Sequence, residues 1–335
     1  MKVQNQLKEA STQEMMGGLA ALLMREQPTL PEIAQRLEIS EHTVASMLEQ
    51  LKEQGIAVST TSEDKYYIEK KFSLLDEAAL RQFLSADVAA VPIYLHWTIA
   101  STNLEASRLA SKGEKGNFFV LSEQQTKGRG RRGKDWASPF GANLYCTYKT
   151  DFRGSVAGLA GLSLAVGVEV VQALQALTGE REINIKWPND LYYKGRKLGG
   201  ILIEVTNTAP NEHSVIVGLG INGVHLDESV GQETAAMEEI LPAHITRNNW
   251  VAVVLEALHR CLVNFQAKGL RGYVRAWEQY DILKDQAVTI HLGGEAVQGV
   301  AVGLASNGEL IVETESGLRN FNAGEVSVRK NHTVD

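Results

Sequence analysis

Apolar positions early in the chain recur at helical spacing. Ile33, Ala34 and Leu37 give one face, and Val44, Met47, Leu48 and Leu51 another. Ser11 with Glu14 and Thr29 with Glu32 are capping-box pairs, Pro31 fits a first turn, and Ser40 caps the next helix. Gly55 supplies the helix stop, and Ile56 to Ile68 reads as two short strands joined through 60–64. Helix, helix, turn, helix and hairpin make a winged helix-turn-helix pattern. A short helical segment near 76–84 and an Ala/Val-rich stretch lead to Pro92, after which strands and helices alternate. Strands are expected at 93–97, 118–121, 143–148, 183–187, 201–205 and 215–219. Helices are expected at 103–110, 155–177 and 246–266, with a shorter one near 270–279. From 286 to 330 the period falls to two, as in Val288, Ile290, Leu292 and Val300, Val302, Leu304, with turns at Gly293-Gly294 and Asn307-Gly308. That stretch has the length of a small five-stranded barrel. The chain is expected to be α+β: a winged helix-turn-helix over 1–70, a linker over 71–92, a mixed α/β domain over 93–284 and a small barrel over 285–331.

Charge qualifies the first of these domains. The 335 residues carry a formal net charge of −7, so any contact with nucleic acid must come from a local patch. Residues 1–70 hold seven Lys/Arg against eleven Asp/Glu, and the third helix opens Ser40-Glu41-His42-Thr43. Its candidates for base edges are Ser40, His42, Thr43, Ser46 and Gln50. A small helical protein-interaction unit is the other reading of the same elements. The apolar stretch Leu159 to Leu177 is interrupted by Ser163, Glu169, Gln172 and Gln175, the mark of a buried helix and not of a membrane span. The first residues lack an apolar h-region, and Cys146 and Cys261 have no metal-type spacing. The expectation is a cytoplasmic protein with reduced cysteines and no membrane partner.

The densest chemistry lies at Lys127 to Trp136, KGRGRRGKDW, with glycines at 128, 130 and 133 among cations at 127, 129, 131, 132 and 134. Glycine lets a backbone approach a ligand closely, and arginine offers a donor fork matched to carboxylate and phosphate. No Gly-Lys-Ser/Thr follows, so it is not a P-loop, and no clear βαβ unit frames a dinucleotide fingerprint. By itself the run fits a loop closing over a small anion or a solvated basic loop. Other stretches extend it: Ser101-Thr102-Asn103 between a strand and a helix, Gln125 just before the loop, and Lys186-Trp187-Pro188-Asn189-Asp190. Arg196 to Leu202 and Gly218-Leu219-Gly220-Ile221-Asn222 complete the set.

Together these motifs resemble the biotin protein ligases, and the bifunctional bacterial kind that also represses the biotin operon, over about residues 12–330. The resemblance implies a ligase-type catalytic domain followed by an SH3-like barrel. It also implies formation of biotinyl-5′-AMP from biotin and ATP with Mg²⁺, and transfer of biotin to a lysine of a biotin carboxyl carrier protein. By position it assigns Ser101, Thr102, Asn103 and Gln125 to biotin's ureido end. It assigns Arg129, Gly130 and Arg131 to the carboxylate and phosphate, Lys197 beside them, and Lys186 as a second phosphate cation. Gly128, Trp136, Asn222 and Arg329 resemble adenylate contacts, and Asp190 a Mg²⁺ ligand or a guide for the incoming lysine. It further implies operator DNA and a homodimer, with biotinyl-AMP as corepressor. One departure stands out: the family's recognition helix commonly starts Ser-Arg, and here the pair is Ser40-Glu41. A lipoate or octanoyl ligase of the same fold, and a non-catalytic biotin-sensing transcription factor, are the alternatives. The full Gly/Arg loop argues against the first, and the presence of both Lys186 and Lys197 against the second.

Overall fold

The computed structural model of the chain describes residues 15–69, 73–209, 211–225, 233–292, 295–323 and 326–330, the side chains of 207, 208 and 326–330 excepted. The Ser11–Glu14 pair, the Gly293-Gly294 turn and the Arg329 side chain lie outside the described residues.

Three helices open it: α1 (Met15–Arg25), α2 (Leu30–Leu37) and α3 (Glu41–Glu53). An antiparallel pair follows, β1 (Val58–Thr60) with β2 (Tyr66–Ile68). The expected caps form. The Thr29 backbone N–H and hydroxyl donate to the Glu32 carboxylate at 2.8 and 3.0 Å, and Ser40 Oγ accepts from the Thr43 N–H at 3.1 Å. Ile33, Val44, Met47, Leu48 and Leu51 are buried together with Leu19 and Leu23. The same cluster takes in Trp97 and Phe140 from the next domain, whose ring centroids lie 4.2 Å apart. Trp97 Nε1 donates to Gln54 Oε1 at 3.0 Å, and Gln124 Nε2 to the Gln54 carbonyl at 3.2 Å. The N-terminal unit thus rests on the central domain through shared aromatic core.

The stretch expected as linker packs instead as part of the central body. It holds α4 (Glu77–Gln82) and α5 (Ala86–Ala89), and Leu75, Leu80, Val88 and Val91 are buried in the central core. Arg247 binds it down, pairing with Glu123 at 2.6 Å and donating to the Ser73 carbonyl at 2.9 Å.

The central sheet comprises β3 (Ile93–Ile99), β4 (Phe118–Gln125), β5 (Leu144–Arg153), β6 (Ile183–Lys186), β7 (Asp190–Tyr193), β8 (Arg196–Ala209) and β9 (Glu212–Ile221). Their order is β3-β4-β5-β9-β8-β7-β6. Only β3 and β4 run parallel among these pairs, joined by α6 (Thr102–Ser111). Alternation sorts β4 between two cores: Phe119 and Leu121 face α7 (Leu162–Thr178) and α8 (Arg247–Lys268), while Phe118 and Val120 face Ala106 of α6. Burial on both faces explains the unbroken apolar run there.

The helix expected from 155 starts later. Gly161, at φ 74°, adopts a left-handed conformation that breaks it, so a 3₁₀ turn over Val156–Leu159 precedes α7. Val156–Thr178 is long and apolar enough to cross a membrane by composition, at mean hydropathy 1.7, but half of that window is buried inside the molecule. Helix α9 (Val274–Trp277) leads to the C-terminal sheet of β10 (Ala287–Leu292), β11 (Glu295–Leu304), β12 (Leu310–Thr314), β13 (Gly317–Phe321) and β14 (Val326–Lys330). Its order is β13-β12-β11-β10-β14, antiparallel throughout. Trp187 Nε1 donates to the Gly308 carbonyl at 3.0 Å and fastens this sheet to the central domain.

Candidate active site

A cavity of about 870 Å³ opens on the sheet face that carries α6, the face opposite α7 and α8. Glycines make room for it. A Cβ on Gly218 would fall 2.2 Å from Asn103 Oδ1, and one on Gly220 would fall 2.6 Å from the Trp136 ring, so both side chains lie flat on bare backbone. Ser101, Thr102, Asn103, Gln125, Arg129, Gly130, Arg131, Trp136, Lys186, Asp190 and Lys197 all line it. Residues scattered over nearly 100 positions of sequence therefore meet in one place.

One end is a polar, uncharged recess at the start of α6. Ser101 stands at the N-cap position of that helix but makes no side-chain cap bond. The cap comes from β4: Gln125 Oε1 accepts from the Thr102 N–H at 2.8 Å and from its hydroxyl at 3.1 Å. Gln125 Nε2 donates to Ser138 Oγ at 3.0 Å. Asn103 is buried, with Oδ1 accepting from Thr147 Oγ1 at 2.6 Å and Nδ2 donating to Glu204 Oε2 at 2.8 Å.

The other end is cationic. Arg129, Arg131, Arg132, Lys134, Lys186 and Lys197 line the cavity against the carboxylates of Asp135 and Asp190. Such a surplus, partly withdrawn from water, favours an anion. Arg131 donates to Asn189 Oδ1 at 2.8 Å and to the Ala323 carbonyl of the C-terminal sheet. Burial pulls its pKa below the usual arginine value, and the nearby Asp190 charge pushes it back up. Lys197 pairs with Asp190 at 2.9 Å and lies 5.4 Å from the Trp136 ring centroid. Lys186 stands over the Tyr192 ring at 5.3 Å, and burial pushes the Tyr192 phenol up to about 12. The peptide bond between Trp187 and Pro188 is cis.

Two expected contacts fall elsewhere. Asn222 is not among the residues that line the cavity. Its amide donates to the carbonyls of Lys197 at 3.2 Å and Ala235 at 3.0 Å, holding the strand that carries Lys197. Gly128 lies behind the loop, where its carbonyl accepts from the Trp136 N–H at 3.0 Å. Three residues that sequence reasoning passed over bear on the site: Asn189 and Tyr192 line it, and Glu204 binds Asn103 from outside the lining. Period-two alternation on β8 was the available signal for the last, because Gly200, Leu202 and Glu204 share a face. Ser40, His42, Thr43, Ser46 and Gln50 are all exposed on α3, far in sequence from the cavity, with Ser40 and Thr43 bonded to each other.

Residues 95–222 match the Biotin/lipoate A/B protein ligase family, and residues 285–329 the Biotin protein ligase C terminal domain. The bifunctional ligase/repressor BirA of Escherichia coli is 31% identical over 302 residues, covering 89% of this chain and 92% of that protein. The biotin–[acetyl-CoA-carboxylase] ligase of Paracoccus denitrificans is 28% identical over 232 residues, 68% of this chain and 96% of its own length. Among solved structures, the Aquifex aeolicus biotin protein ligase in complex with biotin and ATP superposes with a TM-score of 0.61 at 26% identity, covering 72% of this chain and 99% of that one. With one cavity uniting the loop, the lysines and the recess, and a BirA relative this similar along nine-tenths of its length, the chain belongs to the biotin protein ligases, which are enzymes.

Proposed function

We propose that the cavity binds biotin and ATP, joins them as biotinyl-5′-AMP with release of pyrophosphate, and passes the biotinyl group to a lysine of a biotin carboxyl carrier protein domain. The observation that carries this reading is the pairing of an uncharged polar recess with a cationic end inside one cavity. Biotin's ureido group suits the recess of Ser101, Thr102, Asn103 and Gln125. Its carboxylate then reaches toward Gly130, Arg131 and Lys197, with Arg129 at the rim.

In the first step a carboxylate oxygen forms a bond to the α-phosphorus, and the bond from that phosphorus to the departing pyrophosphate breaks. Two anions must approach, so Arg131, Lys186 and Lys197 act by offsetting repulsion and the charge developing at phosphorus. In the second step a lysine amine attacks the acyl carbon, the acyl–oxygen bond to AMP breaks, and the amine gives up a proton. Asp190, anchored by Lys197, is the group we assign to orienting that amine. Asp190 is also the carboxylate suited to Mg²⁺, which takes one or two carboxylates plus substrate phosphates. Among the described residues no three His, Cys, Asp or Glu gather to hold a metal alone, so the ion would arrive with the nucleotide and screen its phosphates. Trp136 borders the adenylate side, with Gly128 supporting it from behind through the Trp136 N–H, and Arg329 is a further adenylate contact in this reading. Asn222 supports Lys197 from behind. The loop closes over the adenylate and keeps water from it.

We propose further that residues 1–70 form a winged helix, that 93–284 form the catalytic domain with 71–92 packed on it, and that 285–331 form an SH3-like barrel. In that reading the protein is cytoplasmic and homodimeric, and represses transcription with biotinyl-AMP as corepressor. The order of α1 to β2 and the long match to BirA support it. The ligase reading predicts pyrophosphate release from biotin and ATP, undiminished by competing lipoate or octanoate. No release would favour a biotin sensor without catalysis. A gel shift on the biotin operon promoter at stated salt, with and without biotin and ATP, tests the repressor.

A further inference from the structure

We infer that Glu204 is a positioning residue of this site, one carboxylate that holds the Gly/Arg loop and the recess amide in register with each other. Its two oxygens are divided between partners far apart in sequence. Oε1 accepts from Arg129 Nη2 at 2.7 Å, and Oε2 accepts from Asn103 Nδ2 at 2.8 Å. Asn103 has little freedom otherwise. It is buried, its Oδ1 accepts from Thr147 Oγ1 at 2.6 Å, and the bare backbone of Gly218 runs directly beneath it. A flipped amide would set its carbonyl oxygen against the Glu204 carboxylate, two acceptors face to face. Glu204 and Thr147 therefore fix which way the amide faces, with Nδ2 also 3.5 Å from the Leu202 carbonyl, and so set the Oδ1 lone pair that a ligand in the recess meets.

The same carboxylate fixes one flank of the loop. Arg129 and Arg131 point to opposite walls: Arg129 to Glu204 on β8, Arg131 to Asn189 and to the Ala323 carbonyl. A partly exposed ion pair is worth little alone. Here its acceptor is also held by a buried donor, so the tether and the amide orientation stand or fall together. Glu204 itself is not among the residues that line the cavity, so its action passes through Arg129 and Asn103.

The inference takes its substrate from the ligase reading and its geometry from the hydrogen bonds of Glu204, and the test separates the two. The protein without ligand is nicked with endoproteinase Asp-N, which cuts before Asp135 at the end of the loop, in wild type, Glu204→Gln, Glu204→Ala, Arg129→Ala and the last two combined. Nicking is expected to speed up about tenfold in Glu204→Ala and less in Glu204→Gln, which keeps an acceptor oxygen. The double variant should be no faster than the faster single one. In the pyrophosphate assay Glu204→Ala should raise the KM for biotin on the order of tenfold and change kcat by less than about threefold. Unchanged nicking, strictly additive effects or an unchanged biotin KM would each overturn the inference. If Glu204→Ala melts out, the isosteric Gln variant carries the same comparison. If wild type releases no pyrophosphate, the ligase reading fails and nicking alone decides the role of Glu204.

Discussion

The cavity and the N-terminal helices hold the same cationic residue types in opposite ways. Among residues 15–69, the four cations are Arg25, Arg36, Lys52 and Lys65, against nine carboxylates. Three of the four are tied to neighbouring glutamates: Arg36 to Glu26 at 2.5 Å, Lys52 to Glu49 at 2.8 Å and Lys65 to Glu63 at 2.6 Å. The cavity gathers six cations with two lining carboxylates, and Arg131 is held by an amide and a backbone carbonyl, which leave its charge intact. Arg131, Lys186 and Lys197 are half-buried there, and even with Glu204 behind Arg129 the six cations outnumber their carboxylates, an excess that an anionic ligand relieves. On α3 and the β1–β2 hairpin positive charge is already neutralised, and a phosphate backbone meets a net acidic surface. A count of lysines and arginines would not separate the two regions; their partners do.

The comparison breaks most sharply at Lys197. Lys197→Ala should slow pyrophosphate release by about 10²–10³-fold, the scale of losing one charge-stabilising donor, with little change in melting temperature. A loss under about threefold would mean the cavity's charge is not what drives the chemistry. Arg131→Gly comes next. It removes the ties to Asn189 and Ala323, and escape of preformed biotinyl-AMP should accelerate by on the order of tenfold, read in a chase with unlabelled biotin. On the acidic side, Glu41→Arg restores a cation at the start of α3. It should strengthen DNA binding by roughly three- to tenfold at low salt and steepen the salt slope by about one. An unchanged slope would show that α3 does not face DNA.

The smallest expected effect concerns a half-buried carboxylate whose nearby cation, Lys284, does not offset its burial. Asp281 joins the central domain to the C-terminal sheet, and burial raises its pKa from 3.8 to about 6. The fold therefore prefers the protonated form, and stability from this group falls as pH rises from about 4 to about 6. Asp281→Asn should stabilise the protein at pH 7 by about 1 kcal/mol, and that gain should vanish near pH 4 in pH-dependent melts.

Much of the secondary structure was legible. The Thr29–Glu32 box and the Ser40 cap formed as spelled, because each joins residues three apart whose geometry the helix itself imposes. Most of the strands ran longer than their apolar cores suggested. β4 continues through polar Ser122 to Gln125, since pairing with β3 and β5 satisfies its backbone whatever the side chains are. β7 was missed: four residues behind a Trp-Pro turn are too few for alternation to show, and the hairpin with β6 makes them a strand. Leu75, Leu80, Val88 and Val91 showed apolar character but not what would cover them.

The site divides along the same line. The motifs were legible in the sequence, and the resemblance they carry implied which of them would gather: a Gly/Arg loop, two lysines, and a hydroxyl and amide triplet, all now lining one cavity. Only the tertiary structure decided who answers whom. Gln125, and not Ser101, caps α6; Asn222 props Lys197; Glu204 joins residues 103 and 129. The physical reason is range. A cap or a period-two face depends on bonds that the local backbone sets, so it is written in a few consecutive residues. A partner 75 or 101 positions away depends on the order β5-β9-β8, and nothing local distinguishes Glu204 from the chain's other glutamates until the strands pair.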